Sequence, residues 1–261
     1  MSDKPELRHV NVTRYMMPLR EGGSLPALAE ADDEFKYVLK FKGAGHGVKA
    51  LIAELLGGEI ARTLGLKVPE LAYAHVDEAF GRTEGDEEIQ DLLKASRGLN
   101  LGLHFLSSSI TFDPSVNTID EETASKIVWL DGLITNVDRT YKNTNMLLWH
   151  RELWLIDHGA SFYFHHSWDT REKSAKTAFP LIKDHVLLPQ ASKLREVDSE
   201  LRYKLTETRI VDIVALLPDE WLQWEGTEET PETLRKAYVE FINQRLKHTD
   251  LFIQEAENAR K

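Results

Sequence analysis

The chain contains no cysteine. Disulfides, thiolate nucleophiles and Cys-ligated zinc are therefore excluded, and a reducing compartment fits. Long apolar runs are also missing. No stretch of about 18 apolar residues occurs, so no membrane span is expected. The opening segment, MSDKPELRHV, lacks the apolar region of a secretory signal, and a cytoplasmic location is expected. Positive charge is in deficit as well. The 32 Lys and Arg face 43 Asp and Glu, a formal net charge of −11 with His neutral. General nucleic-acid binding needs a basic footprint and is not expected here, although a local basic pocket for a phosphorylated ligand stays open.

The 261 residues, 42% of them hydrophobic, suffice for one large domain or two modest lobes. No internal repeat is visible. Alternation predicts strands over residues 7–18 and from Phe35 to Phe41, the latter after an acidic turn. VKALIAELLGGEIARTLG has helical spacing and a plausible C-terminal cap at Gly65. LKVPELAYAHVD reads as a strand, GRTEGDEEIQD as the opening of a short helix, and GLNLGLHFLSSS as a connector between lobes. Asp120 is a good helix N-cap followed by Glu121 and Glu122, with Ile127, Leu130, Leu133 and Ile134 as the apolar stripe. A hairpin is expected over Met146–Trp149 and residues 153–156. Helices follow over 190–257, the last covering about 231–257. This order predicts an α+β fold with a β-rich N-lobe over residues 1–110 and a mostly helical C-lobe over 111–261.

The chemistry concentrates in TNVDRTYKN and LWLIDHG. Phosphoryl transfer asks a protein for a metal held against phosphates, a lysine on the non-transferred phosphates, and a carboxylate for the attacking hydroxyl. In protein kinases a catalytic Asp is followed five residues later by a metal-binding Asn, and a hairpin brings up a second metal Asp followed by Gly. Here Asn143 stands five residues after Asp138, and Asp157 of Asp157-His158-Gly159 stands nineteen after it, beyond an apolar hairpin. Asn145 rivals Asn143 for the metal. Mg²⁺ favours a few carboxylate or amide oxygens together with phosphates and water, which suits this set.

The N-lobe supplies the remaining parts. Strand alternation puts Val38, Lys40 and Lys42 on one face of YVLKFKG and Tyr37, Leu39 and Phe41 on the other. Lys40 is favoured as the phosphate lysine over Lys42, because its neighbour two positions earlier is the small apolar Val38, which suits an adenine. The following helix offers Glu54 and Glu59 as partners for the lysine. A buried carboxylate needs a cation, so both stay open on the residues alone. Gly22, Gly23 and Ser24 in EGGSLP are candidates for a phosphate-facing turn. GAGHG, after the lysine strand, is the competing loop and more simply lets the chain swing into the helix.

TNVDRTYKN, LWLIDHG, YVLK and AELLGGEIARTLGLKVPE together resemble the HipA-like kinases, in particular a short branch that begins TRYMMPLREGGSLP. The match covers about residues 10 to 170. The resemblance implies a protein-kinase-like two-lobed fold that binds ATP and Mg²⁺ and transfers phosphate to a Ser or Thr hydroxyl of a protein. It implies Asp138 as the catalytic carboxylate, Asn143 and Asp157 as Mg²⁺ ligands and Lys40 as the ATP lysine, and it tips the helix choice to Glu54. Lys142 joins Asp138 as a catalytic candidate.

Two departures stand out. The family loop usually reads Asn-x-Asp-x-His-x-x-Asn, and Thr140 replaces its His, so that side chain's help in holding the loop is lost or supplied elsewhere. His158 takes the Phe position of Asp-Phe-Gly.

Other readings compete. A small-molecule or lipid-headgroup hydroxyl is the alternative acceptor to a protein. A nucleotide-binding module without turnover is a second class. A metal-dependent hydrolase built from His158, His165, His166, Asp138 and Asp157 is a third. Arg139 is expected to meet a phosphate or a neighbouring acid. The Phe and Tyr residues of SFYFHHSW are expected as core anchors.

Overall fold

The computed structural model describes residues 4–19, 25–77 and 85–261. Five strands, β1 (Arg8–Pro18), β2 (Ala27–Ala31), β3 (Lys36–Lys40), β4 (Leu71–Val76) and β5 (Gly98–His104), close a barrel in the order β1-β2-β3-β5-β4. The β1–β4 pairing is parallel and the others are antiparallel. Alternation dictates the filling: Val10, Val12, Ala29, Tyr37, Leu39 and Ala74 are among the side chains of the barrel core. Small alanines suit so narrow a barrel, because inward-facing residues must share its limited interior.

β5 corrects the reading of GLNLGLHFLSSS as a connector. It is an integral strand, paired with β3 through Leu39↔Gly102 and with β4 through Tyr73↔Leu101. Its Leu99, Leu101 and Leu103 are buried in the larger core shared with the helical part. Glycines made the segment look like a loop, but Gly102 serves close packing, with Tyr37 against it.

Helix α1 (Gly47–Thr63) lies between the barrel and the helical part, and every residue from Leu51 to Ala61 is buried. A helix apolar on all sides must be covered on all sides. Gly65, at φ +87, turns the chain out of α1 toward β4. Helix α2 (Glu87–Ala95) starts at Asp86, whose side chain accepts from Glu88 N and Ile89 N.

Helix α3 (Glu121–Ile134) starts at Asp120, which accepts from Thr123 N at 2.8 Å. It is the central buried helix of the second part, with Ile127, Trp129, Leu130 and Leu133 in the large core. After a short β6 (Ile110–Thr111), strands β7 (Met146–Trp149) and β8 (Glu152–Leu155) form the expected hairpin. His150 and Arg151 take positive φ in its two-residue turn. Helices α4 (Arg171–Ala175), α5 (Leu194–Lys204) and α6 (Glu207–Val214) follow.

The expected single closing helix is two, α7 (Pro231–Lys247) and α8 (Thr249–Arg260), broken at His248. Thr249 and Asp250 favour a fresh helix start over a helix interior. Among the described residues no helix is long and apolar enough to cross a membrane.

Candidate functional site

Because Tyr37 and Leu39 point into the barrel, β3 turns Lys40 outward toward α1 and the helical part. There its Nζ donates to Glu54 Oε2 and to Asp157 Oδ1, both at 2.5 Å. Burial of Glu54 works to raise its pKa, but the Lys40 charge and the neighbouring His158 outweigh it and hold the carboxyl at about 2. Burial likewise works to lower the Lys40 pKa, and the charges of Asp157 and Glu54 override it upward. The pair is therefore an ammonium and a carboxylate around neutral pH. Glu59 sits elsewhere and accepts from Arg62 at 3.2 Å. Lys42 is bound to Glu220 of the helical part.

The loop after α3 builds the opposite side. Thr135, in the left-handed region at φ 53, ends the helix. Asn136 Oδ1 then accepts from Asp138 N at 3.1 Å. The Asp138 carboxylate receives two amides, Asn143 Nδ2 on Oδ1 at 2.9 Å and Asn145 Nδ2 on Oδ2 at 3.2 Å. Thr140 N donates to Asn143 O at 2.9 Å and closes the loop. Both rival asparagines thus touch Asp138, the exposed Asn143 and the half-buried Asn145. Lys142 is exposed on the same loop and has no ion pair or hydrogen bond among the described residues.

The hairpin delivers Asp157, which takes φ 56. Ile156 N donates to Asn145 O at 3.0 Å, so backbone pairing ties the Asp157 side of the cleft to the Asp138 side. Gly22, Gly23 and Ser24 lie outside the described residues.

Sequence reasoning missed the support beneath this loop. Arg139 meets an acid, not the cleft: it is fully buried, and its Nε donates to Asp131 Oδ2 at 2.5 Å. Asp131, on α3, also accepts from Asn136 and lies against His185. The available signal was an aspartate within the apolar stretch that closes α3, since a buried acid demands partners.

The histidine set behind the hydrolase reading does not assemble. His165 is buried beside Tyr238, with Nδ1 3.2 Å from its hydroxyl, and burial holds its pKa well below the usual value. His158 is buried with Nδ1 3.7 Å from Glu54 Oε1. Among the described residues no cluster of His, Asp and Glu suits a transition metal. Phe162 and Phe164 are the expected core anchors, packed on Tyr238 and Phe241, whereas Tyr163 between them is exposed, because the 3-10 turn it opens points it away from the core.

A family model described as HipA-like kinase matches residues 12–254. Among solved structures, the Helicobacter pylori proinflammatory kinase CtkA is similar over 96% of this chain and 97% of that one. Its TM-score is 0.55 at 13% sequence identity, and at that identity the likeness concerns the fold. The Golgi casein kinase with Mn/ADP bound aligns with 92% of this chain and 73% of its own at 12% identity, with a TM-score of 0.44. No curated protein sequence matches the chain significantly.

Proposed function

Starting from the fact that the chain belongs to the HipA-like kinase family and carries a two-lobed protein-kinase fold, we propose that its cleft uses ATP and Mg²⁺ to phosphorylate a Ser or Thr hydroxyl of a protein. The observation that carries this reading is Lys40, held at 2.5 Å by both Glu54 and Asp157. A buried ammonium between two carboxylates is a cation fixed where phosphate charge must be met.

Lys40 binds the non-transferred phosphates, and Glu54 keeps its ammonium aimed. Asp138 orients the acceptor hydroxyl and takes its proton as the oxygen attacks the terminal phosphorus and the bond to the ADP oxygen breaks. Lys142, at the exposed rim of the same loop, faces the transferred group. Arg139 plays no part at the phosphates, because Asp131 already holds it.

The residues present fit Mg²⁺. Among the described residues neither Asn143 Oδ1 nor Asp157 Oδ2 accepts a hydrogen bond. Asp157 already accepts a cation, the Lys40 ammonium, on its other oxygen. One carboxylate and one amide oxygen, completed by phosphates and water, meet the preference of this hard ion. Asn143 and Asp157 would hold it, and the ion would neutralise charge on the phosphates.

The test is thermal shift with ATP and Mg²⁺ followed by ADP release. Asp138→Ala should abolish ADP release and keep most of the nucleotide shift, whereas Asp157→Ala should lose the Mg²⁺-dependent part of the shift. Equal ADP release from wild type and Asp138→Ala would refute the catalytic role of Asp138. A nucleotide shift without phosphate transfer to any acceptor pool would instead favour a binding module.

A further inference from the structure

We infer that His185, far from the cleft in sequence, is a positioning residue for Asp138, acting through the buried carboxylate of Asp131. This inference rests on the phosphotransfer reading above.

Asp131 is fully buried near the end of α3. Its two oxygens are shared among donors from three directions. Oδ1 accepts from Asn136 Nδ2 at 3.0 Å and from Arg139 Nη2 at 3.5 Å. Oδ2 accepts from Arg139 Nε at 2.5 Å and lies 2.9 Å from His185 Nε2. The tautomer of His185 follows from its other nitrogen. Nδ1 accepts from Leu187 N at 3.0 Å, so in the neutral ring the proton sits on Nε2 and is donated to Asp131. A carboxylate offers about four acceptor positions, and here every one has a donor.

The chain of contacts continues to both sides of the cleft. Arg139 Nη1 donates to Asn145 O at 2.5 Å and to Ile156 O at 3.3 Å. Asn145 donates its side-chain amide to Asp138, and Ile156 precedes Asp157. His185 also grips the loop through its backbone. It pairs with Thr140 as an antiparallel bridge, and Val186 N donates to Arg139 O at 3.0 Å. Thr140 is the position at which the resembled loop carries His. An imidazole thus reaches the base of the loop from the segment bridged to it, forty-five residues on. A loop rich in Asn, Asp and Thr has many competing turn conformations, and this buried fixture selects one.

His185→Ala removes one donor from a buried, charged acceptor and frees the 139–140 backbone from its neighbour. The expected result is a fall in kcat for ADP formation of about tenfold or more, with the ATP dissociation constant within about twofold of wild type. Amide hydrogen exchange should accelerate at residues 139–145 and stay unchanged in α1 and the barrel. His185→Gln places an amide N–H near the lost Nε2–H and should recover most of the kcat. A merely structural role would lower the melting temperature while leaving kcat, measured well below it, intact.

Unchanged exchange at 139–145 in His185→Ala, or kcat within twofold of wild type, would overturn the inference. Wild-type protein that never releases ADP would sink the phosphotransfer reading instead, and the exchange comparison would still decide whether His185 holds the loop.

Discussion

Gly57 of α1 lies directly against His158: a Cβ built on Gly57 would stand 2.6 Å from the His158 Cβ. The helix that carries Glu54 and the turn that carries Asp157 therefore meet backbone to side chain, with no room between them. Gly57→Ala forces one of them to move. Overpacking of this kind costs about 1–3 kcal/mol, and here the displaced groups are the two partners of Lys40. The variant should melt lower and show a weakened ATP shift. Gly45→Ala, where a Cβ would meet nothing within 4 Å, should match wild type in both measurements.

Much of this arrangement was legible in the chain. The alternation of YVLKFKG separated Tyr37 and Leu39 from Lys40, and the barrel interior divides at those residues. The spacing of Asp138, Asn143 and Asp157 around an apolar hairpin anticipated β7 and β8. Helical spacing alone left Glu54 and Glu59 open and the resemblance chose Glu54; both lie on buried helix faces, and the approach of β3 separates them. β5 was hidden by its glycines. Asp131 and His185 were hidden by distance: a donor fifty-four residues away leaves no local pattern, and only burial makes the pairing obligatory.

The Glu54 carboxyl gives a pH signature. Its folded pKa is about 2 against an ordinary 4.5, so folding favours the ionised form. The stability it contributes is fully present above about 4.5 and is lost as pH falls through 4.5 toward 2. Glu54→Gln should flatten that part of the profile and cost about 1–3 kcal/mol at neutral pH, where it leaves Lys40 short of a partner. Denaturant titrations at stepped pH would check both. An unchanged acid slope in the variant would show that Glu54 does not carry the effect.

Trp221 fastens the helical part to the barrel. It is fully buried, its indole N–H donates to Leu99 O of β5 at 3.1 Å, and its ring meets Tyr73 of β4 edge-on. The Tyr73 hydroxyl in turn donates to Leu216 O. Trp221→Ala should cost about 3–5 kcal/mol, and Trp221→Phe, which keeps most of the packing but strands the Leu99 carbonyl, about 1–3 kcal/mol. Urea unfolding measures both. Equal losses would assign the whole contribution to the hydrogen bond and none to packing.

Asn143 and Asn145 should separate by different observables. Asn143 is exposed and bonds through its side-chain amide to Asp138. Asn143→Ala should change stability by no more than about 0.5 kcal/mol while weakening the Mg²⁺-dependent ATP shift. Asn145 is half-buried at φ 49, a left-handed conformation that Asn tolerates better than Ala. Its carbonyl accepts from Arg139 and Ile156 N, and its amide holds Asp138. Asn145→Ala should cost about 1 kcal/mol or more in stability and lower ADP release while leaving the Mg²⁺-dependent shift in place. Asn145→Gly relieves the backbone and should recover the stability but not the turnover, because the amide on Asp138 is still gone. Were Asn145→Ala, rather than Asn143→Ala, to abolish the Mg²⁺-dependent shift, the metal role would pass to Asn145.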